Sequence, residues 1–351
     1  MTATIGDVAR RARVSTATVS RVLAGLGGAR AETRERVLDA ARELDYRPSA
    51  VARSLKLRTT QTLGLIITDI ENPFFPQLVR AVEDVAREHG FALLLCNAAD
   101  DPEREASYLD LLVDRRVDGV VIAVSGLGTR HREWLAEAPL PVVLVNSVAP
   151  GLPHPSIASD NVDGGRQAAA HLLHLGHRRI GVLTAGPRNA DAPARMAGVR
   201  HAIEQSGMDP DAVPIVVGEP GVVGGEAALS RLLADAPETT GVVAYNDLMA
   251  IGAMRAIRAS GRTVPGHVSV VVFDDVAIAA YTDPPLTTIA QAIGELGRWA
   301  VERLVERLAD GAASLDGHGP ASLTLSGTVL PVRLVARGSS APPPGVGTIP
   351  V

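Results

Sequence analysis

The feature that most constrains this chain is the alternation that begins at Thr62. Short apolar runs of buried-strand length, at 63–67 (LGLII), 92–96 (ALLLC), 117–123 (VDGVVIA) and 142–145 (VVLV), are separated by segments with helical spacing at 76–90, 102–116 and 129–138. Strand, helix and strand repeated in this way predict a parallel sheet covered on both faces by helices. The pattern restarts after Asp160. Helices are predicted at 162–175, 195–206, 224–233 and 247–260, and strands at 179–183, 213–217, 242–244 and 268–272. Two successive α/β units of similar size predict two lobes with a cleft between them. A helix over 291–308 and a strand pair within 323–335 complete the expected body, and the Pro/Gly-rich stretch 338–351 is expected to be disordered.

The first sixty residues have a different texture. Ile5, Val8, Ala9 and Ala12 recur at the spacing of one helical face, and Thr4 with Asp7 three residues on offers a cap. Arg13 and Val14 make a turn, and Ser15 can cap a second helix whose inward face is Val19, Val22 and Leu23. That leaves Thr16, Ala17, Ser20 and Arg21 outward. Short side chains let a backbone approach a major groove, and arginine can bond guanine bidentately. Two amphipathic helices also occur in many domains that bind nothing, so the stretch alone leaves both readings open. A third helix is expected over 32–44 with Val37, Leu38, Ala41 and Leu44 inward and Tyr46 beneath. Residues 49–56 form a helix-capable piece too short to be stable unsupported.

Charge separates these two parts. Residues 1–60 hold twelve arginines and lysines against six acidic residues, so a chain of net charge −5 carries +6 on its head and −11 on the remainder. A basic head on an acidic body is the footprint of a part drawn to phosphate. The chain is 351 residues long with one cysteine, Cys96, which excludes an internal disulfide or a cysteine-based zinc cluster. No apolar run approaches membrane-spanning length, and the N-terminal residues lack a signal-peptide core, so a cytoplasmic location is expected.

No Walker loop, nucleophile elbow, zinc-protease motif or paired-cysteine motif is present, and no catalytic residue, cofactor or metal is expected. His171, His174 and His177 are read as surface residues, since no other ligand lies nearby in sequence. Polar residues do cluster at the carboxyl ends of predicted strands: Asp69, Asn146, Asn246 with Asp247, and Asp274 with Asp275. Ligands of open α/β sheets bind outside those ends, so these positions point to one crevice suited to a polar, hydroxylated ligand. Asn246 and Asp247 also read as caps of the following helix, and both readings stand. A periplasmic sugar-binding protein would share the body but lack the basic head. A nucleotide-dependent enzyme would need a phosphate-cradling loop.

The motifs IGDVARRARVSTATVSRVL, TRERVLDAARELDYRPS, AVARSL, NPFF, HLLHLGHRRIGVL, ARMAG, NDLMAIGAMRAI, VSVVVFDD and PPLTTIAQ, in this order across residues 4–337, resemble the lactose-repressor (LacI/GalR) family of bacterial transcription regulators. The resemblance implies an N-terminal all-α helix-turn-helix head (1–46), a hinge helix and linker (47–61) and a two-lobed α/β body of the periplasmic-binding-protein type I class with parallel sheets. Lobe one would comprise 62–160 with 290–320, and lobe two 161–289 with 321–337. It further implies a homodimer that represses transcription by binding double-stranded operator DNA, switched by a sugar-like effector. The implied DNA contacts are Ser15, Thr16, Ala17, Ser20 and Arg21 on the recognition helix and Val51, Ala52 and Leu55 on the hinge, Leu55 as the minor-groove wedge. The implied effector contacts are Asp69, Phe74, Phe75, Leu78, Asn146, Arg195, Asn246, Asp274 and Gln291. Some positions depart from the family pattern. Ala24 and Arg30 replace polar or capping residues, the segment 187–194 is short and proline-bearing, Pro220 replaces a stacking aromatic, and Ala123 stands where some sugar binders have Asn.

Overall fold

A computed structural model describes residues 3–23, 28–46, 59–127, 129–147, 151, 153–315 and 327–345. The hinge residues Val51, Ala52 and Leu55 lie outside the described residues, as do 346–351. Two compact units are present, one up to Gln61 and one from Thr62.

The first unit contains α1 (Ile5–Ala12), α2 (Thr16–Leu23) and α3 (Ala31–Glu43). Thr4 and Asp7 form a reciprocal cap: the Thr4 backbone N–H donates to Asp7 Oδ2 at 2.9 Å and the Asp7 N–H to Thr4 Oγ1 at 3.3 Å. Arg13, at φ 54°, ends α1, and the Thr18 N–H donates to Ser15 Oγ at 3.1 Å to start α2. Val8, Ala9, Ala12, Val19, Val22, Val37, Ala40 and Ala41 form the core, with Tyr46 packed against it. The third helix turns its face by one residue from expectation: Ala40 is buried and Leu38 is 38% exposed. Arg30 stands at the N-cap of α3 without a side-chain cap bond.

The second unit holds two six-stranded sheets. Its strands are β1 (Thr62–Ile67), β2 (Ala92–Asn97), β3 (Gly119–Ala123), β4 (Val142–Val145), β5 (Ser156–Ser159), β6 (Ile180–Ala185), β7 (Ile215–Gly218), β8 (Gly241–Ala244), β9 (Ser269–Asp274), β10 (Thr287–Ala290), β11 (Thr328–Leu330) and β12 (Arg333–Val335). The first sheet runs in the order β11-β5-β4-β3-β1-β2 and the second β12-β10-β9-β8-β6-β7. Every pairing is parallel except β10 with β12, where Ile289 lies opposite Leu334. The helices are α4 (Phe74–Glu88), α5 (Pro102–Asp114), α6 (Thr129–Ala136), α7 (Asn161–His174), α8 (Ala192–Gln205), α9 (Val222–Asp235), α10 (Asp247–Ala259) and α11 (Ile293–Leu315). Central strands such as β3, β4 and β9 are buried at every residue because helices cover both faces, which is why they read as unbroken apolar runs.

Several boundaries differ from expectation. Helix α4 starts two residues early because Asn72 Oδ1 accepts the Phe74 N–H at 3.1 Å. Helix α8 starts at Ala192, which draws Arg195 into its first full turn. The strands β5 and β10, each four residues long and opening on Ser or Thr, lie outside the predicted strands. The predicted strand pair near residues 323–335 does not form: β11 joins the first sheet beside β5, and β12 joins the second beside β10. Pro331, which has no N–H to give a ladder, lies at this crossing, so 321–337 does not belong wholly to the second lobe. Residues 338–345, within the stretch expected to be disordered, are instead tied into the second sheet. Ser339 is fully buried, donating to the Val270 carbonyl at 2.6 Å and accepting from the Thr287 N–H at 2.8 Å, and the Ala341 N–H reaches Ser269 Oγ at 3.0 Å. Pro and Gly lowered its apparent order in sequence, but its polar groups complete the amino ends of β9 and β10.

The chain crosses between lobes three times: from β5 to α7, from β10 to α11, and from β11 to β12. Two crossings are tied directly, the Asp160 N–H donating to the Leu330 carbonyl at 2.8 Å. In the second lobe the helix pairs pack at backbone contact. A Cβ on Gly165 would collide with the Arg195 carbonyl, and one on Gly198 with the Val162 carbonyl; Gly225 and Gly252 do the same between α9 and α10. Since backbone cannot retreat as a flexible side chain can, Gly198→Ala should cost about 2 kcal/mol or more. Urea denaturation of the full chain checks this, and an unchanged midpoint would contradict it.

Candidate functional site

At the carboxyl ends of β1, β3, β4, β6, β8, β9 and β10 the two lobes enclose a cavity of about 550 Å³. All nine residues implied as effector contacts line it: Asp69, Phe74, Phe75, Leu78, Asn146, Arg195, Asn246, Asp274 and Gln291. Phe74 and Phe75 meet edge to face, their centroids 5.3 Å apart, and with Leu78 they form an apolar wall presented by α4. Ala123 and Pro220, the two departures noted in sequence, also line the cavity.

Arg195 is the centre of the polar wall. It is 8% exposed, a burial that nothing in its own sequence neighbourhood announces. Its Nε donates to Asn161 Oδ1 at 2.9 Å and its Nη1 to the Tyr245 carbonyl at 2.6 Å. Its Nη2 lies 2.7 Å from Asp191 Oδ2 and 3.5 Å from Asp274 Oδ1. The rings of Phe273 and Tyr245 lie against the guanidinium, with centroids 3.8 Å and 4.6 Å away. Burial opposes the charge, but Asp191 and Asp274 outweigh it and hold the guanidinium protonated.

The network continues outward. Tyr245 donates its hydroxyl to Asp191 Oδ1 at 2.7 Å, and burial, then Asp191, push its pKa well up. Gln291 donates to Asp274 Oδ1 at 2.7 Å and accepts from Ser159 Oγ of the first lobe at 2.6 Å. Asp274 adopts φ 110°, a sparsely populated conformation for a non-glycine residue. Burial raises its carboxyl to about 6, with Asp191 adding to the rise and Arg195 opposing it.

Asn246 caps α10 by accepting the Met249 N–H at 2.9 Å, and it also lines the cavity. Its Nδ2 donates to the Pro220 carbonyl at 3.0 Å. Asp247 is buried behind the wall, accepting the Val276 N–H at 2.8 Å; burial and Asp274 raise its pKa well above the carboxylate range. Asn146, at φ 55°, presents a buried Oδ1 with no hydrogen-bond partner. Sequence reasoning missed Asp191, Tyr245, Asp100 and Glu219, which also line the cavity. Asp191 lies one helical turn before Arg195, the spacing of an acid–base pair, and that was a usable signal.

The lobes also touch beside the cavity. The Ala190 N–H donates to the Ser125 carbonyl at 2.6 Å, and Arg188 lies 3.7 Å from Asp100. A Cβ on Gly126 would strike the Arg188 carbonyl, so the 186–191 segment closes onto bare backbone.

In the head, Ser15, Thr16, Ala17 and Arg21 are exposed and Ser20 is half-buried, on the face of α2 opposite Val19 and Val22. The three histidines are not all on the surface. His177 is fully buried between Thr240 Oγ1 and the Ala341 carbonyl, each at 2.9 Å, and burial lowers its pKa. Among the described residues no cluster of His, Cys, Asp and Glu could hold a metal ion, and no helix is long and apolar enough to cross a membrane.

A helix-turn-helix unit in a chain whose second unit is a two-lobed ligand-binding body defines a regulator that answers to a small molecule. Residues 4–49 match the family model for bacterial regulatory proteins of the lacI family, and residues 60–323 that for periplasmic binding proteins and the sugar-binding domain of the LacI family. The chain is 38% identical to the HTH-type transcriptional regulator GalS of Salmonella typhimurium over 85% of its own length and 88% of that protein's. It superposes with a TM-score of 0.85 and 29% identity on the lac repressor dimer bound to operator and the anti-inducer ONPF, covering 97% of this chain and 100% of that one. A LacI-family regulator from Enterococcus faecium with bound ribose matches at TM-score 0.70 and 31% identity, over 80% and 99% of the respective chains. The chain belongs to the LacI family: it is a DNA-binding transcriptional regulator under small-molecule control, and not an enzyme.

Behind the first-lobe wall, Glu105 on α5 stands 3.3 Å from His131 on α6, at 7% and 2% exposure. The spacing is that of an ion pair, but burial drives both to their neutral forms. Burial, then Asp100, raises the Glu105 carboxyl from 4.5 to about 8, and burial lowers the His131 imidazole. The native chain therefore keeps a proton that the unfolded chain releases, so this carboxyl makes stability fall as pH rises from 4.5 to about 8. Glu105→Gln should remove that component, leaving the variant more stable than the parent by about 2 kcal/mol near pH ~8.5. Urea denaturation across pH checks it, and an E105Q chain no more stable than the parent there would contradict it.

Proposed function

We propose that this regulator is a cytoplasmic, nucleoid-associated homodimeric repressor whose two heads read the half-sites of a near-palindromic operator. Thr16, Ala17 and Arg21 meet base edges, Ser15 and Ser20 flank them, and Val51, Ala52 and Leu55 enter the minor groove, where Leu55 wedges between base steps. The operator-bound dimer of the lac repressor supports this arrangement. A polar, hydroxylated, sugar-like effector binds among Asp69, Phe74, Phe75, Leu78, Asn146, Arg195, Asn246, Asp274 and Gln291.

The observation that carries the reading is convergence. Residues from distant stretches of chain line one cavity beside the contacts that join the lobes. A ligand there favours one lobe arrangement by its differential affinity, typically ~1–3 kcal/mol, and that preference reaches the heads through residues 47–61.

A gel shift on a duplex selected from a random pool, run over a salt series, tests the first part. Affinity should fall steeply with salt as phosphate contacts are screened. No shift at low salt, with or without candidate ligands, overturns the reading. Arg21→Ala should lose about tenfold or more on the selected duplex and much less on unrelated DNA. Leu55→Ala should weaken operator binding while effector affinity, followed by calorimetry, stays nearly constant; a loss of effector binding instead would remove Leu55 from its assigned role.

A further inference from the structure

Beside the cavity the two lobes meet through segments that are each held rigid. On the first-lobe side, the residues after β3 are pinned by their neighbours. The Ser125 N–H donates to Thr68 Oγ1 at 2.7 Å, the Ser147 hydroxyl donates to the Val124 carbonyl at 2.7 Å, and the Thr68 and Ser125 hydroxyls lie 3.1 Å apart. On the second-lobe side, 186–191 is a compact turn. The Asn189 N–H donates to the Gly186 carbonyl at 3.0 Å, and Asp191 is held by Arg195 and by the Tyr245 hydroxyl, each at 2.7 Å. Two attractions draw these segments together: the Ala190 N–H on the Ser125 carbonyl at 2.6 Å, and Arg188 facing Asp100 at 3.7 Å. Gly126 stands where they meet, and a Cβ there would enter the Arg188 carbonyl. Its φ is not left-handed, so its own backbone does not require glycine. The requirement comes from the opposite lobe.

Building on the effector-switch reading above, we infer that Gly126 is a positioning residue that sets how far the lobes dock. Segment 186–191 seats on bare backbone, and any side chain at position 126 props the lobes apart. The obstruction acts only when the lobes meet, so it penalises one arrangement and leaves the other untouched. An overpacked contact against backbone should deplete the docked arrangement about tenfold or more. The same two strands that carry this contact also lead to the linker. Thr68 and Ser125 follow the carboxyl ends of β1 and β3. At the amino ends the Thr62 N–H donates to Asp118 Oδ2 at 3.3 Å and the Asp118 N–H to the Thr62 carbonyl at 2.8 Å. Thr62 is the residue at which the body begins. Docking at Gly126 is thereby joined, through one braced strand pair, to the point where the linker enters.

The test traps or props the lobes in the full chain and needs no ligand. Cys96, the one native cysteine, is buried, so Asp100→Cys with Arg188→Cys supplies a thiol pair across the mouth for bismaleimidoethane. Intrachain cross-linking, separated from interchain product on a denaturing gel, should slow about tenfold or more when Gly126→Val is added. Gly126→Ala should give an intermediate rate, and it replaces Gly126→Val in every arm if that chain does not fold. Equal rates with and without the substitution overturn the inference. On the selected duplex, the cross-linked chain and the propped chain should differ in affinity about fivefold or more. Equal affinities overturn the link from docking to the linker. A parent that shifts no duplex sinks the regulatory reading instead, and the cross-linking rates still judge the docking contact by themselves.

Discussion

The second lobe is organised around one buried guanidinium. Arg195 connects the start of α8 to the ends of β8 and β9, and, through Asn161, to the first turn of α7. A lone buried charge would be far too costly to keep, and removing either partner of a buried pair typically destabilises by ~3–5 kcal/mol. Here the charge is held because Asp191 comes from the same helix turn and Asp274 from a strand end, both supplied by the fold. The constraint works in both directions. The guanidinium fixes the strand ends that form the cavity wall, while its edge still borders the cavity.

That wall has its precision because the elements behind it have little freedom. The glycine contacts between α7 and α8, and between α9 and α10, bring backbone against backbone, where no rotamer change can absorb a misfit. The first lobe uses side chains instead. Phe74, Phe75 and Leu78 bury one face of α4 against β1 and β3 while bordering the cavity. The two sides of the cleft thus differ in kind, one apolar and carried on a helix, the other a polar lattice set on strand ends.

Much of this was legible in the sequence because buried parallel strands are apolar throughout, and their carboxyl ends are marked by polar residues. Asp69, Asn146, Asn246 and Asp274 were visible for that reason alone. Phe74, Phe75, Leu78, Arg195 and Gln291 were reached through family resemblance, because an aromatic pair on a helix reads as core and an arginine near a helix start reads as surface. What escaped depends on contacts distant in sequence. The short strands β5 and β10 have no apolar run to announce them. The separation of β11 from β12 is decided by which sheet edge lies nearer, and the order of residues 338–345 by hydrogen bonds to Val270, Thr287 and Ser269. His177 looked solvent-facing because its partners, Thr240 and Ala341, lie 63 and 164 residues away.

The three crossings between the lobes limit how the body can move. A single covalent link would permit swinging in any direction, but three lying side by side and bonded to one another act as a short torsion bar. Sliding one lobe along the other would have to stretch the Asp160–Leu330 and Ser159–Gln291 bonds together, whereas a twist spreads a small dihedral change over all three strands. Ligand free energy applied at the cavity is therefore channelled into rotation, a motion whose displacement grows with distance from the axis. A subtle rearrangement at the crossings thus becomes a larger one at the far rim of the lobe.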